Sequence, residues 1–176
     1  MALKVFTIPA LPRVNNGAAR LLPAVTTLLA AVISVLPLQI PGYAALTPVF
    51  TLMAAYHWTI YRPDLLPPVA LFGIGLTEDL LAGSPIGVNA LLLLLTRVAV
   101  LSYRRYFVNR NFPFVWTGFT LLTAAAMFGL WVLHCIFDLT LLDFRNAVIR
   151  AALTMAMFPL ASFVLGRAQR ALMGAG

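Results

Sequence analysis

Six apolar stretches fill this chain, and the positive charges between them fall in alternate breaks. From Leu21 onward the stretches run over 21–38, 45–61, 65–82, 86–107, 114–137 and 145–166. A bilayer core about 30 Å thick is crossed by ~20 apolar helical residues, with a range of about 17–25. Each stretch meets that requirement with modest tilt. The second is the weakest, since Pro48 interrupts its start and Tyr61, Arg62 and Pro63 end it. Lys4, Arg13 and Arg20 precede the first stretch, Arg62 follows the second, and Arg104, Arg105 and Arg110 follow the fourth. Arg167 and Arg170 follow the sixth, whereas the first and third breaks carry no Lys or Arg and the fifth carries only Arg145 beside Asp138 and Asp143. Cytoplasmic loops are enriched in Lys and Arg. The expected fold is therefore an all-α polytopic membrane protein with six transmembrane helices and both termini cytoplasmic.

Composition supports this class and excludes others. Hydrophobic residues make up 62% of the chain and charged residues 10%. A soluble domain of this size cannot cover so much apolar surface. The net charge of +7 sits at membrane-flanking positions, which points to topology and anionic lipid rather than nucleic acid. The single cysteine, Cys135, cannot form an internal disulfide and is expected to pack inside the fifth helix. The first stretch exceeds the usual 7–15-residue core of a signal peptide, so a retained helix is expected. The chain divides into a cytoplasmic tail over 1–20, a six-helix transmembrane domain over 21–167 and a cytoplasmic tail over 168–176.

Local signals refine the picture. Pro63 stops the second helix, Asp64 is expected to N-cap the third, and Pro67 and Pro68 fall in its first turn. Gly83-Ser84-Pro85 closes a short hairpin. Pro159 should kink the sixth helix, with neighbours accommodating the freed carbonyl. Tyr56, Trp58, Tyr61, Tyr103, Tyr106, Phe107 and Trp116 gather near the inferred cytoplasmic interface, where an aromatic belt is expected.

Charged groups in hydrocarbon face the bundle and find partners. Glu78 lies about 9 Å below the outer turn at Ser84, and Arg150 about 10 Å below Asp143, at 1.5 Å per residue. The matching depths predict an ion pair between Arg150 and either Glu78 or Asp79. Adjacent helical residues diverge by about 100°, so only one of the two carboxylates faces Arg150. Arg97 is deeper, with no acid at its level. It either snorkels or bonds carbonyls freed by a kink. His57 and His134 lie toward opposite faces, so no metal site is expected. No HExxH, GxSxG or phosphate-binding glycine loop occurs, and no catalytic residue or cofactor is expected.

The centre of the chain carries a pattern: Pro48-x7-Tyr56-His57-Trp58, Arg62-Pro63, then Gly75-x3-Asp79-Leu80-Leu81-x-Gly83-Ser84-Pro85-x-Gly87-x-Asn89-Ala90-Leu91. This resembles the MreD family of bacterial rod shape-determining inner-membrane proteins. The specific match covers roughly Pro48 to Leu95, and outside it only the span pattern agrees. Gly75, Asp79, Gly83 and Gly87 match the family pattern, whereas Glu78 and Arg97 do not obviously belong to it.

The resemblance implies a multi-pass protein of the bacterial inner membrane and a non-enzymatic scaffold role in the cell-wall elongation complex. Implied partners are an MreC-type single-span protein, an MreB-type filament, a RodA-type glycosyltransferase and a class B penicillin-binding transpeptidase. The implied fold is similar to the substrate-binding subunit of energy-coupling-factor transporters. The basic inner face of Arg104, Arg105, Arg110, Arg167 and Arg170 would attract anionic lipid or an acidic patch on a filament. The alternative is a small-molecule-binding transporter subunit, for which Glu78, Asp79, His134 and Arg150 would form the site. The outer loops are too short to close readily over a ligand.

Overall fold

The computed structural model describes residues 17–35, 47–107, 111–138 and 144–173, with no side-chain description at 17–20, 105, 107, 134, 136–138, 144 and 171–173. Arg110, Asp143 and the side chains of Arg105, His134 and Asp138 therefore lie outside the described residues. Among those described, the chain forms six α-helices and no strand: α1 (Gly17–Val35), α2 (Phe50–Tyr61), α3 (Pro68–Ala82), α4 (Val88–Phe107), α5 (Phe112–Asp138) and α6 (Phe144–Met173). Two segments, Phe112–Leu133 and Arg145–Arg170, are long and apolar enough to cross a membrane. Large apolar side chains such as Leu21, Val69, Leu80, Ile86 and Leu121 point outward, each at least 63% exposed. An exterior of this kind suits lipid rather than water.

The architecture is organised around α2. This helix packs against α1, α4 and α6, while α3 packs on α1 and α4, and α5 packs on α6 and more thinly on α4. Every residue from Thr51 to Ile60 is buried. A helix apolar on all sides belongs in an interior. At 1.5 Å per residue its 12 residues rise only about 18 Å, well short of a bilayer core. Its two ends point toward the two ends of the bundle, called below the Gly83 end and the Arg62 end.

Burial of α2 corrects the expectation that Tyr56 and Trp58 join an interfacial belt. They are 1% and 0% exposed, because their helix has no outward face. Tyr56 sits edge-on to Phe119 and Phe158, with ring centroids 5.1 and 5.6 Å away, and those two rings stack at 4.0 Å. The phenol donates to the Val115 carbonyl at 2.9 Å, and the Trp58 indole donates to Thr26 Oγ1 at 2.9 Å. Each buried polar tip thus has the partner that burial demands. Tyr61, Tyr103, Tyr106 and Trp116 do stay exposed.

Asp64 is not the cap of the third helix. The chain makes a tight turn at Arg62–Leu65, closed by the Leu65 N–H donating to the Arg62 carbonyl at 3.2 Å, with Pro63 in the position such turns favour. Leu66 is then buried, and α3 starts at Pro68 with Pro67 as its cap residue. Proline at the first helical position loses no hydrogen bond.

Pro159 lies inside α6 and has no N–H to give the Met155 carbonyl one turn earlier. The Trp116 indole of α5 donates to that carbonyl at 3.0 Å. Trp116→Phe is expected to lower stability by about 1–2 kcal/mol by leaving the carbonyl unmet. In a Pro159→Ala background, where the intrahelical bond returns, the same change is expected to cost much less. Thermal unfolding of the four proteins in one detergent measures the difference.

Candidate functional site

In a lipid-facing bundle every backbone group needs a protein partner. Helix ends are the weak points, because the first four N–H groups and last four carbonyls lack intrahelical partners. A short buried helix such as α2 exposes both of its ends to this demand, and the polar side chains of the bundle gather there.

At the Gly83 end, residues 47–49 lead into α2 without regular structure. The Val49 N–H donates to Thr154 Oγ1 of α6 at 3.2 Å, and the Phe50 N–H donates to Ser34 Oγ of α1 at 2.9 Å. The Thr51 N–H reaches the same Ser34 oxygen at 3.4 Å. Two hydroxyls from other helices therefore do the work usually left to a local N-cap residue. Val49, the residue in the cap position, makes no side-chain cap bond.

Glu78 of α3 completes this cluster. It is 4% exposed and lies near the Thr51 side chain, within electrostatic reach of Arg150 of α6. A carboxylate beside a helix N-terminus is further favoured by the helix dipole. Arg150 also donates through Nε to the Thr47 carbonyl at 3.2 Å. The cluster thus joins α1, α2, α3 and α6 around one chain break.

Asp79, the next residue, turns away from Arg150 and into the α3–α4 hairpin, and is 0% exposed. Its carboxylate accepts from Ser84 Oγ at 3.0 Å, from the Gly87 N–H at 2.8 Å and from the Asn89 N–H at 3.0 Å. It therefore caps the start of α4 from the preceding helix. Gly83 ends α3 in the left-handed region at φ 65°, and Gly87 opens α4 at φ 99°, two conformations that L side chains resist. A Cβ at Gly75 would collide with Ala90 Cα and lie 2.6 Å from Ala90 N, so glycine here lets α3 and α4 touch backbone to backbone. Gly75, Asp79, Gly83 and Gly87 all converge on this one hairpin.

At the Arg62 end, arginines from α4 hold carbonyls. Arg104 Nε donates to the Ile60 carbonyl at 2.8 Å, next to the last residue of α2. Arg97 donates to the Leu66 carbonyl through one terminal nitrogen and to the Pro63 carbonyl at 3.2 Å through the other. Arg97 thus bonds carbonyls of the turn between α2 and α3. His57 Nδ1 faces Ser162 Oγ of α6 at 3.4 Å. Arg167 lies over the Phe163 ring at 5.0 Å, and Arg170 donates back to the Gly166 carbonyl at 3.2 Å. Among the described residues no group of His, Cys, Asp and Glu could hold a metal ion.

Ser34, Thr51 and Thr154 carry much of this geometry, yet sequence reasoning passed over them. Hydroxyls are common in apolar helices, where they bond their own helix. The available signal was Pro48 early in the second stretch, which implies a broken helix start with N–H groups to satisfy.

An all-helical bundle with an apolar exterior, an interior short helix and arginines spent on backbone carbonyls is the anatomy of an integral membrane protein. The family model for the rod shape-determining protein MreD matches residues 18–172. The chain belongs to the MreD family, a bacterial membrane family concerned with rod shape. Neither the curated proteins nor the solved structures contain a match.

Gly75→Ala is expected to destabilise by about 1–3 kcal/mol through overpacking. Gly73→Ala, where a Cβ meets nothing within 4 Å, is expected to be neutral or to gain up to about 1 kcal/mol from helix propensity. Thermal unfolding of both variants against the parent measures the contrast.

Single charge reversal at Glu78 or Arg150 is expected to prevent accumulation of folded protein. The double reversal is expected to restore it only in part, since a carboxylate at position 150 would face the Thr47 carbonyl. Full rescue, or none, measured as monodisperse yield after detergent extraction, would contradict this geometry.

Proposed function

We propose that the chain is a non-enzymatic scaffold of the cell-wall elongation complex in the bacterial inner membrane. It crosses the membrane six times with both termini in the cytoplasm, so that the Gly83 end faces outward and the Arg62 end inward. Its role is to hold an MreC-type single-span protein beside the filament, glycosyltransferase and transpeptidase of that machinery, and thereby to maintain rod shape.

Family membership supports the rod-shape role. The observation that carries the scaffold reading is the use of the membrane-embedded charges. Asp79, Arg97, Arg104 and Arg150 each bond backbone groups at or beside helix ends, and Glu78 lies within electrostatic reach of Arg150. Intramembrane charges commonly mark pathways or reaction centres. Here their bonds go into bracing a fixed shape, which suits a platform for other helices. A single-span partner would dock by close van der Waals fit against the lipid-facing surface. The transporter-subunit reading would instead make the Glu78–Arg150 cluster a ligand site.

Extraction of the native membrane in mild detergent, followed by mass spectrometry of what stays bound, separates the two. A stoichiometric MreC-type protein with wall-synthesis enzymes is the expected result. An ATPase module or a tightly held small molecule would overturn the scaffold reading in favour of a transporter subunit.

A further inference from the structure

Glu78 and Arg150 bring opposite charges to the start of α2 from helices that rest on different neighbours. The helix α3 packs on α1 and α4, whereas α6 packs on α2 and α5. The two charges lie within electrostatic reach of each other, yet no Glu78 oxygen comes within 4.0 Å of an Arg150 nitrogen. Arg150 gives its Nε to the Thr47 carbonyl at 3.2 Å. Among the described residues, its two terminal nitrogens and both Glu78 oxygens have no hydrogen-bond partner.

Unpartnered side-chain atoms that are sealed by packing occur at His57, Thr59 and Thr123. The charged atoms of Glu78 and Arg150 are not among them, so they border open space. Because Glu78 is 4% exposed, that space is small. Thr51 lies near the Glu78 carboxylate, and its Oγ1 stands 3.4 Å from Ser34 Oγ. A buried charge needs hydrogen bonds as well as an opposite charge. Polar groups too far apart for a direct bond are bridged by water where there is room, and a buried water makes about two to four bonds.

The chemistry of the two groups selects the occupant. An ionised carboxylate only accepts hydrogen bonds, and a guanidinium only donates them. A cation in this space would meet the like charge of Arg150, and an anion that of Glu78. Water is neutral, donates and accepts at once, and fits a small space.

We propose that a water molecule binds between Glu78 and Arg150, donating to the carboxylate and accepting from a terminal nitrogen of the guanidinium, with the Thr51 hydroxyl as its third partner. The water keeps α3 and α6 at a fixed separation around the start of α2. The site does not depend on the scaffold reading.

The test uses the full chain in detergent micelles, with threonine methyl groups labelled for NMR and cross-relaxation from water as the signal. The Thr51 methyl is expected to show a cross-peak from a long-lived water. The sealed threonines Thr59 and Thr123 are expected to show none. Glu78→Met combined with Arg150→Met removes both charges together, so neither is left uncompensated. That double variant is expected to lose the Thr51 cross-peak. A cross-peak that survives there is relayed through the Thr51 hydroxyl and overturns the proposal. So does a cross-peak from a bound organic molecule in place of water. If the double variant does not fold, the parent still decides: a Thr51 methyl as silent as those of Thr59 and Thr123 overturns the proposal.

Discussion

The need to satisfy the two ends of a helix that is too short for its place governs this bundle. A helix that crosses the whole membrane leaves its unpaired groups among headgroups and water. At the Gly83 end of α2 those groups lie among other helices, where an unmet N–H or carbonyl is expensive. Ser34 and Thr154 accept the N–H groups at its start, Arg150 holds the Thr47 carbonyl ahead of it, and Glu78 places a carboxylate within electrostatic reach of Arg150. Arg104 meets part of the C-terminal one, and Arg97 holds the turn beyond it. Remove the short helix, and none of these six residues has a reason to be polar.

The hairpin of α3 and α4 solves a different problem by local means. Asp79 bonds groups within ten residues of itself, and the two positive-φ glycines fix the turn it spans. Glu78 and Asp79 are neighbours in sequence but serve opposite purposes. One ties α3 to distant parts of the chain, and the other ties it to the next helix. The angular step between adjacent helical residues separates the roles.

Much of this fold was legible in the sequence. The helices fall on the apolar stretches, because length and hydropathy are properties of each segment alone. That Glu78 and Arg150 come within electrostatic reach of each other follows from counting along a helix. What could not be read depends on which helix is central. Tyr56 and Trp58 look like interfacial aromatics until α2 is known to be enclosed. Asp64 looks like a helix cap until Arg97 is seen holding the turn that delays α3. Ser34 and Thr154 look like ordinary hydroxyls, since nothing in their own segments reveals the chain break they serve. The start of α2 at Phe50 rather than at 45 follows from Pro48 and from these tertiary bonds together.

The bonds at the ends of α2 also order events in time. Ser34 precedes this helix in the chain, but Glu78, Arg97, Arg104, Arg150 and Thr154 all follow it. While the ribosome is still making α3, the second helix has few of the partners that make its ends tolerable in lipid. It cannot settle as an independent unit and then await assembly, as a long apolar helix such as α5 can. The α3–α4 hairpin, latched within itself by Asp79, is able to form first and offer a surface. The second helix reaches its final place only once α6 has been synthesised. Any change that slows the arrival of α6 prolongs a nascent state with an unfinished core, open to membrane proteases.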